Sequence, residues 1–99
     1  MKTEVNNTIF EDVESLAEQY RVIMGSQRLE IKIWLNTRSQ LYRYDVSHHY
    51  QRSDQGAPYI SSCVYAHTSL DALEKAATYL RLANNPKDDL IQWFINPNF

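Results

Sequence analysis

Gln27-Arg28-Leu29-Glu30-Ile31-Lys32-Ile33-Trp34-Leu35-Asn36 is the stretch on which the fold turns. Its apolar residues alternate strictly. Leu29, Ile31, Ile33 and Leu35 fall on one side of an extended chain, and Arg28, Glu30, Lys32 and Trp34 on the other. Side chains of a strand point to opposite faces with a period of two, so this is a strand with one buried face. Asn36-Thr37-Arg38-Ser39 has turn composition. A second strand is expected over about residues 40–50, with Tyr42, Tyr44, Val46, His48 and Tyr50 on its even face. Ser53-Asp54-Gln55-Gly56 marks a loop, and a third strand is expected over about residues 59–66. Pairing Leu35 with Gln40 sets Ile33 opposite Tyr42, Ile31 opposite Tyr44 and Leu29 opposite Val46. A second turn centred near Gln55 sets Val46 opposite Val64 and Tyr44 opposite Ala66. One face then stays apolar across all three strands, whereas a slip of one residue would carry charges into it.

Outside these strands the spacing changes to three and four. Thr8 and Glu11 make a capping box ahead of Val13, Leu16, Ala17, Tyr20, Ile23 and Met24. Gly25 tolerates positive φ and would end such a helix, predicted over about residues 9–24. Thr68 or Ser69 caps a second helix whose stripe is Leu70, Leu73, Ala76, Ala77 and Leu80, widened by Tyr79 and Ala83. Asn85-Pro86 opens a short third helix that would bury Leu90, Ile91, Phe94 and Ile95, with Trp93 partly covered. The expected fold is α+β in the order α-β-β-β-α-α: a three-stranded antiparallel meander, strand order 1-2-3, with the helices packed on one face. Residues 1–99 are read as a single domain with residues 1–7 flexible.

Composition narrows the function classes. A chain of 99 residues with 43% hydrophobic and 22% charged residues has the balance of a globular domain. Chains of this size bury only somewhat over ~60% of their unfolded surface, which disfavours an enzyme with a deep internal pocket. Two glycines leave nothing resembling a Gly-rich phosphate loop. Cys63 is the sole cysteine, so no internal disulfide is required. The first residues lack an apolar leader core, and no apolar run reaches the length of a membrane helix. The expectation is a cytoplasmic protein that does not enter a membrane. Charge is uneven along the chain. Lys2 stands against Glu4, Glu11, Asp12, Glu14 and Glu18 at the start, while Arg21, Arg28, Lys32, Arg38, Arg43 and Arg52 stand against Glu30 and Asp45 in the middle.

With helices on the Leu29 side, the opposite face shows Glu30, Lys32, Trp34, Leu41, Arg43, Asp45, Ser47, His49, Ser61, Cys63 and Tyr65. The expected register opposes Trp34 to Leu41, Lys32 to Arg43 and Glu30 to Asp45, the last two being like-charge pairs with opposite-sign diagonals. This is either a solvated sheet face or a docking surface. Exposed aromatics beside arginine are the usual makings of an interface hot spot, and Trp34, Arg43, Tyr65, Lys32 and Leu41 are the candidate partner-binding residues. A homodimer through this face or an edge strand fits the same pattern.

Other chemistry is weaker. Cys63 with His49 or His67 and Asp45 has the makings of an activated thiol, but nothing supplies an oxyanion site, and a strand cysteine is more often a small hydrophobe. His48 and His49 point to opposite faces, and no Cys or His spacing matches a zinc site. Arg38, Arg43 and Arg52 alternate with Tyr42, Tyr44 and Tyr50, a pattern suited to phosphate contact and base stacking, although Tyr42 and Tyr44 belong to the core face. Glu11, Asp12, Glu14, Asp88 and Asp89 sit at helix starts, where carboxylates complement the dipole. The order α-β-β-β-α also occurs in double-stranded-RNA-binding domains, but Ser69 to Lys75 is net acidic where those domains hold phosphates, so that family is not assigned. The expectation is a small non-enzymatic protein-interaction module, an adaptor, subunit or inhibitor, using the open sheet face. No cofactor or metal is expected. The alternative is nucleic-acid binding by the basic segment 28–52, and a thiol enzyme centred on Cys63 comes third.

Overall fold

A computed structural model describes residues 12–83 and 90–99. Among them run β1 (Glu14–Met24), β2 (Gln27–Asn36), β3 (Tyr42–Val46), β4 (His48–Gln51), β5 (Tyr65–Ala66), α1 (Ser69–Arg81) and β6 (Gln92–Ile95). Four strands form an antiparallel sheet in the order β1-β2-β3-β5, and β4 and β6 form a second antiparallel pair. The fold is mixed, an antiparallel sheet with one helix packed against it among the described residues.

β2 behaves as its alternation requires. Leu29, Ile31 and Ile33 are buried together with Tyr44, Val46, Tyr50 and Ala66. From α1 they meet Ala72, Ala76, Tyr79 and Leu80, followed by Ala83. Thr68 caps α1 as expected, its hydroxyl accepting from the Asp71 N–H at 3.0 Å. The buried stripe is rotated from the expected one: Leu70 is exposed, and the small Ala72 and Ala76 let the helix approach the sheet closely.

The predicted first helix is a strand. Residues 14–24 pair with β2 from Glu14–Asn36 to Met24–Gln27, with a bulge between Leu16 and Glu18. The predicted capping box at Thr8 and Glu11 lies outside the described residues. The reason is tertiary. A strand with a fully desolvated face needs partners for its backbone N–H and C=O groups along both edges. The nearest chain available to β2 is the one just before it, which carries Tyr20, Val22 and Ile23, residues that suit a pleated surface. Gly25 has the positive φ expected of it, +61°, but uses it at the first central position of a two-residue hairpin turn instead of at a helix end. Tyr20, Val22 and Met24 pack against the core, and Ile23 is turned out.

Two other elements are corrected. The long second strand breaks at the buried Ser47, where β3 ends and β4 leaves to pair with β6. The third strand contracts to β5 plus a single bridge between Tyr50 and Tyr59. The expected third helix is replaced over 92–95 by β6, which pairs Tyr50 with Trp93 and His49 with Phe94. Its predicted start at Asn85-Pro86 lies outside the described residues.

The expected register is off by two residues. Ile33 lies opposite Tyr44 and Ile31 opposite Val46, and on the other side Tyr42 lies opposite Ala66. A shift of two keeps every side chain on its face, so the core is the expected one. The β2–β3 loop is longer than assumed. Asn36 N–H bonds Leu41 O at 2.9 Å, the Asn36 side-chain oxygen accepts from the N–H groups of Arg38 and Ser39, and Gln40 adopts φ +62°. Charge favours the longer loop as well: Lys32 now opposes Asp45 and Trp34 opposes Arg43, in place of the two like-charge pairs.

Two residues separate the strand from a helix at 14–24. Ile33 is 0% exposed and Ile23 is 65% exposed. Ile33→Ala is expected to cost about 2–5 kcal/mol in denaturant unfolding, and Ile23→Ala to stay within about 0.5 kcal/mol. A helix over 9–24 would make Ile23 a core residue with a cost like that of Ile33.

Candidate functional site

The corrected register assembles a row of side chains across the face that α1 does not cover. Leu16 is opposite Trp34, Trp34 opposite Arg43, and Arg43 opposite Tyr65. Four strands thus set an aliphatic, an indole, a guanidinium and a phenol side by side. The bulge places Leu16 here, because it reverses the parity of β1 between Leu16 and Glu18. The two ends of the row are open, Leu16 at 46% and Tyr65 at 53% exposure.

The middle of the row is held by charge. Arg43 donates from Nε to Glu14 Oε2 at 2.6 Å and from Nη2 to Glu14 Oε1 at 2.9 Å, a bidentate pair. Its other terminal nitrogen lies 4.0 Å from Asp45. The hydrogen bonds that Arg43 donates to Glu14 stabilise the charged guanidinium and raise its pKa, against the opposing effect of burial. Arg43 Cζ is 5.7 Å and Lys32 Nζ 5.9 Å from the Trp34 ring centre, so two cations flank the indole. Lys32 Nζ also lies 4.1 Å from the ring centre of Phe99. The Trp34 Nε1–H is buried with no hydrogen-bond partner among the described residues.

Of the five residues predicted for this surface, Trp34, Arg43, Tyr65 and Lys32 come together. Leu41 does not oppose Trp34. It lines a separate groove that includes Tyr65. Glu14, Leu16 and Phe99 were missed. The first two were hidden inside the helical reading of 9–24. Their signal was the like-charge pairing in the expected register, which left Arg43 in need of a carboxylate.

Of the remaining candidates, Cys63 and His67 line the groove that includes Leu41, and Asp45 and His49 line a separate one. Cys63 is exposed and accepts a hydrogen bond from Lys75 Nζ at 3.3 Å, while His49 Nδ1 is 3.1 Å from the Tyr79 hydroxyl. The described residues contain no group of three or more His, Cys, Asp or Glu able to hold a metal ion. In the basic segment, Arg43 is paired with Glu14, and Arg52 lies 3.3 Å from Asp54. Tyr44 and Tyr50 are buried in the core, unavailable for stacking on bases. No helix among the described residues is long and apolar enough to cross a membrane.

Comparison with known protein families, with curated proteins and with solved structures finds no significant match.

His49 gives the fold a pH dependence of known sign. The Tyr79 hydroxyl donates its one proton to Tyr59 O, so it accepts from the Nδ1–H of His49. Burial pushes the His49 pKa down, with Asp45 opposing and His48 assisting. A lowered histidine pKa means that the unfolded chain takes up the proton first. The contribution is complete above the ordinary value of about 6.5 and is lost as pH falls through the lowered one. Asp45, its carboxyl raised mainly by burial, acts with the opposite sign in a more acidic window. The denaturation midpoint is expected to drop between pH 7 and 5, and His49→Gln to flatten that drop. A slope unchanged in the variant would contradict it.

Proposed function

We propose that this protein is a non-enzymatic protein-interaction module, and that it binds a partner protein through the uncovered sheet face. The observation that carries the reading is the row Leu16–Trp34–Arg43–Tyr65, made of direct neighbours on successive strands and open at both apolar ends. Binding energy in interfaces concentrates in large, rigid aromatic and arginine side chains set among groups that exclude water. This row has that composition. The Glu14 pair and the flanking Lys32 hold Trp34 and Arg43 in one arrangement before any partner arrives, which lowers the ordering cost of association.

The partner surface that fits brings apolar side chains over Leu16 and Tyr65. It does not need strong negative charge, because Arg43 already faces two carboxylates within the chain. That same neutralisation, with Tyr44 and Tyr50 buried, favours this reading over nucleic-acid binding by residues 28–52. Cys63 is hydrogen-bonded by Lys75 while His49 is engaged with the Tyr79 hydroxyl, so the fold does not pair the thiol with His49.

Leu16→Ser/Tyr65→Ser is expected to leave the protein folded with a small loss of melting temperature, since about half of each side chain is already in water. It is expected to remove the specific partner from a quantitative co-purification. Arg43→Ala, by contrast, strands Glu14 and is expected to lower stability by about 1 kcal/mol. An unaltered set of bound proteins with the folded double variant would overturn the assignment of this face.

A further inference from the structure

The uncovered sheet face is complementary to itself. Leu16 and Tyr65 are the two ends of the row, and Trp34 and Arg43 are its middle, on β2 and β3. A two-fold axis laid parallel to the strands, midway between β2 and β3 and just above the face, sets one sheet on another. It carries each side chain to a place above its own cross-strand partner. Trp34 of one copy then meets Arg43 of the other, and Leu16 of one copy meets Tyr65 of the other. Lys32 is opposite Asp45 in the same register, so Lys32 of one copy falls over Asp45 of the other. Each contact joins unlike groups: aliphatic with phenol, indole with guanidinium, ammonium with carboxylate. It is also made twice, as an isologous interface requires. A two-fold axis along the row would instead set Arg43 on Arg43 and Trp34 on Trp34.

We propose that the occupant of the open face is a second copy of this chain, related by the two-fold axis parallel to the strands, a step that rests on reading that face as a docking surface. A partner for this face must bring apolar side chains over Leu16 and Tyr65 without strong negative charge, and the face itself meets both conditions. Arg43 is already neutralised by Glu14 and Asp45 in its own chain, so two such faces meet without net repulsion between arginines. The hydrogen bonds to Glu14 lie in the guanidinium plane and leave its flat side for stacking on an indole. Packed sheets lie about 10 Å apart with their strands within about 30° of each other. The match is therefore closest at Trp34 and Arg43 beside the axis. Leu16 and Tyr65, at 46% and 53% exposure, have the most surface left to bury. With strands about 4.8 Å apart the row is only about 14 Å long, so the buried area falls at the small end of specific interfaces and the dimer is reversible.

The test is sedimentation of the intact protein from 10 to 500 μM, with cross-linking to fix the arrangement. A monomer–dimer equilibrium is expected. Leu16→Ser/Tyr65→Ser is expected to weaken it at least tenfold. Lys32→Glu, which leaves the row intact, is expected to weaken it at least threefold. In a Cys63→Ser background, Leu16→Cys mixed with Tyr65→Cys is expected to cross-link through a short bis-maleimide at least fivefold more than either variant alone. A protein that stays monomeric at 500 μM would overturn the second copy as occupant. If the double variant still lost a co-purifying protein, the open face would stand as a docking surface for a different chain. A dimer indifferent to both the double variant and Lys32→Glu, or cross-linking no better in the mixture than with Leu16→Cys alone, would also overturn the proposal.

Discussion

Burial of one whole face of β2 is the constraint on which the structure depends. Leu29, Ile31 and Ile33 sit under α1 with almost no access to water. Together they bring roughly 5–8 kcal/mol of transfer free energy on area grounds, and the gain holds only if the strand that carries them leaves no buried N–H or C=O unpaired. β2 must be an interior strand. It takes β3 on one side through the turn at Asn36 and β1 on the other through the turn at Gly25. The recruitment of β1 has a functional consequence, because it delivers Glu14 to Arg43 and Leu16 to Trp34.

A second constraint acts where β3 ends. Ser47 exchanges hydrogen bonds with Glu30, donating from its N–H to Glu30 O and accepting at Oγ from the Glu30 N–H. Its own carbonyl accepts from the Asn96 N–H at 2.8 Å, and the Asn96 side-chain amide donates to Val46 O and Asp45 Oδ1. Asn96 is buried, and each of these bonds satisfies a group that would otherwise lose water without replacement. This polar junction ties the β4–β6 pair to the main sheet. Beyond it Tyr50 packs against Tyr59, Tyr79 and Trp93, closing the end of the core with aromatic rings at centroid distances of 5.0 to 6.1 Å.

The legible parts of the sequence were those where one period excludes the other. Leu29-x-Ile31-x-Ile33 admits only a strand, and Thr68 followed by apolar residues at three and four admits only a helix; both stand in the fold. Residues 14–24 satisfy both periods. Leu16, Tyr20 and Ile23 trace a helical stripe, while Tyr20, Val22 and Met24 trace a strand face, and the bulge at Ala17 breaks the alternation that would have revealed the strand. Local pattern could not decide between them; the unpaired edge of β2 does. The β2–β3 register is ambiguous by two for a related reason, since both registers keep the same face inward. Charge separates the two registers: the shorter turn sets Lys32 against Arg43 and Glu30 against Asp45, and the longer one sets Lys32 against Asp45. Correcting that turn brings Trp34, Arg43 and Tyr65 into one line, with Lys32 beside them. Leu41 goes elsewhere, into the groove at the β5 edge.

The most direct measurement is a set of backbone through-space proton contacts by NMR in the intact chain. The account predicts cross-strand contacts between Leu16 and Trp34, between Trp34 and Arg43, and between Arg43 and Tyr65, with large Hα–N–H couplings through residues 18–24. A run of Hα(i) to N–H(i+3) contacts through 14–24, with none reaching β2, would make that segment a helix and dissolve the row.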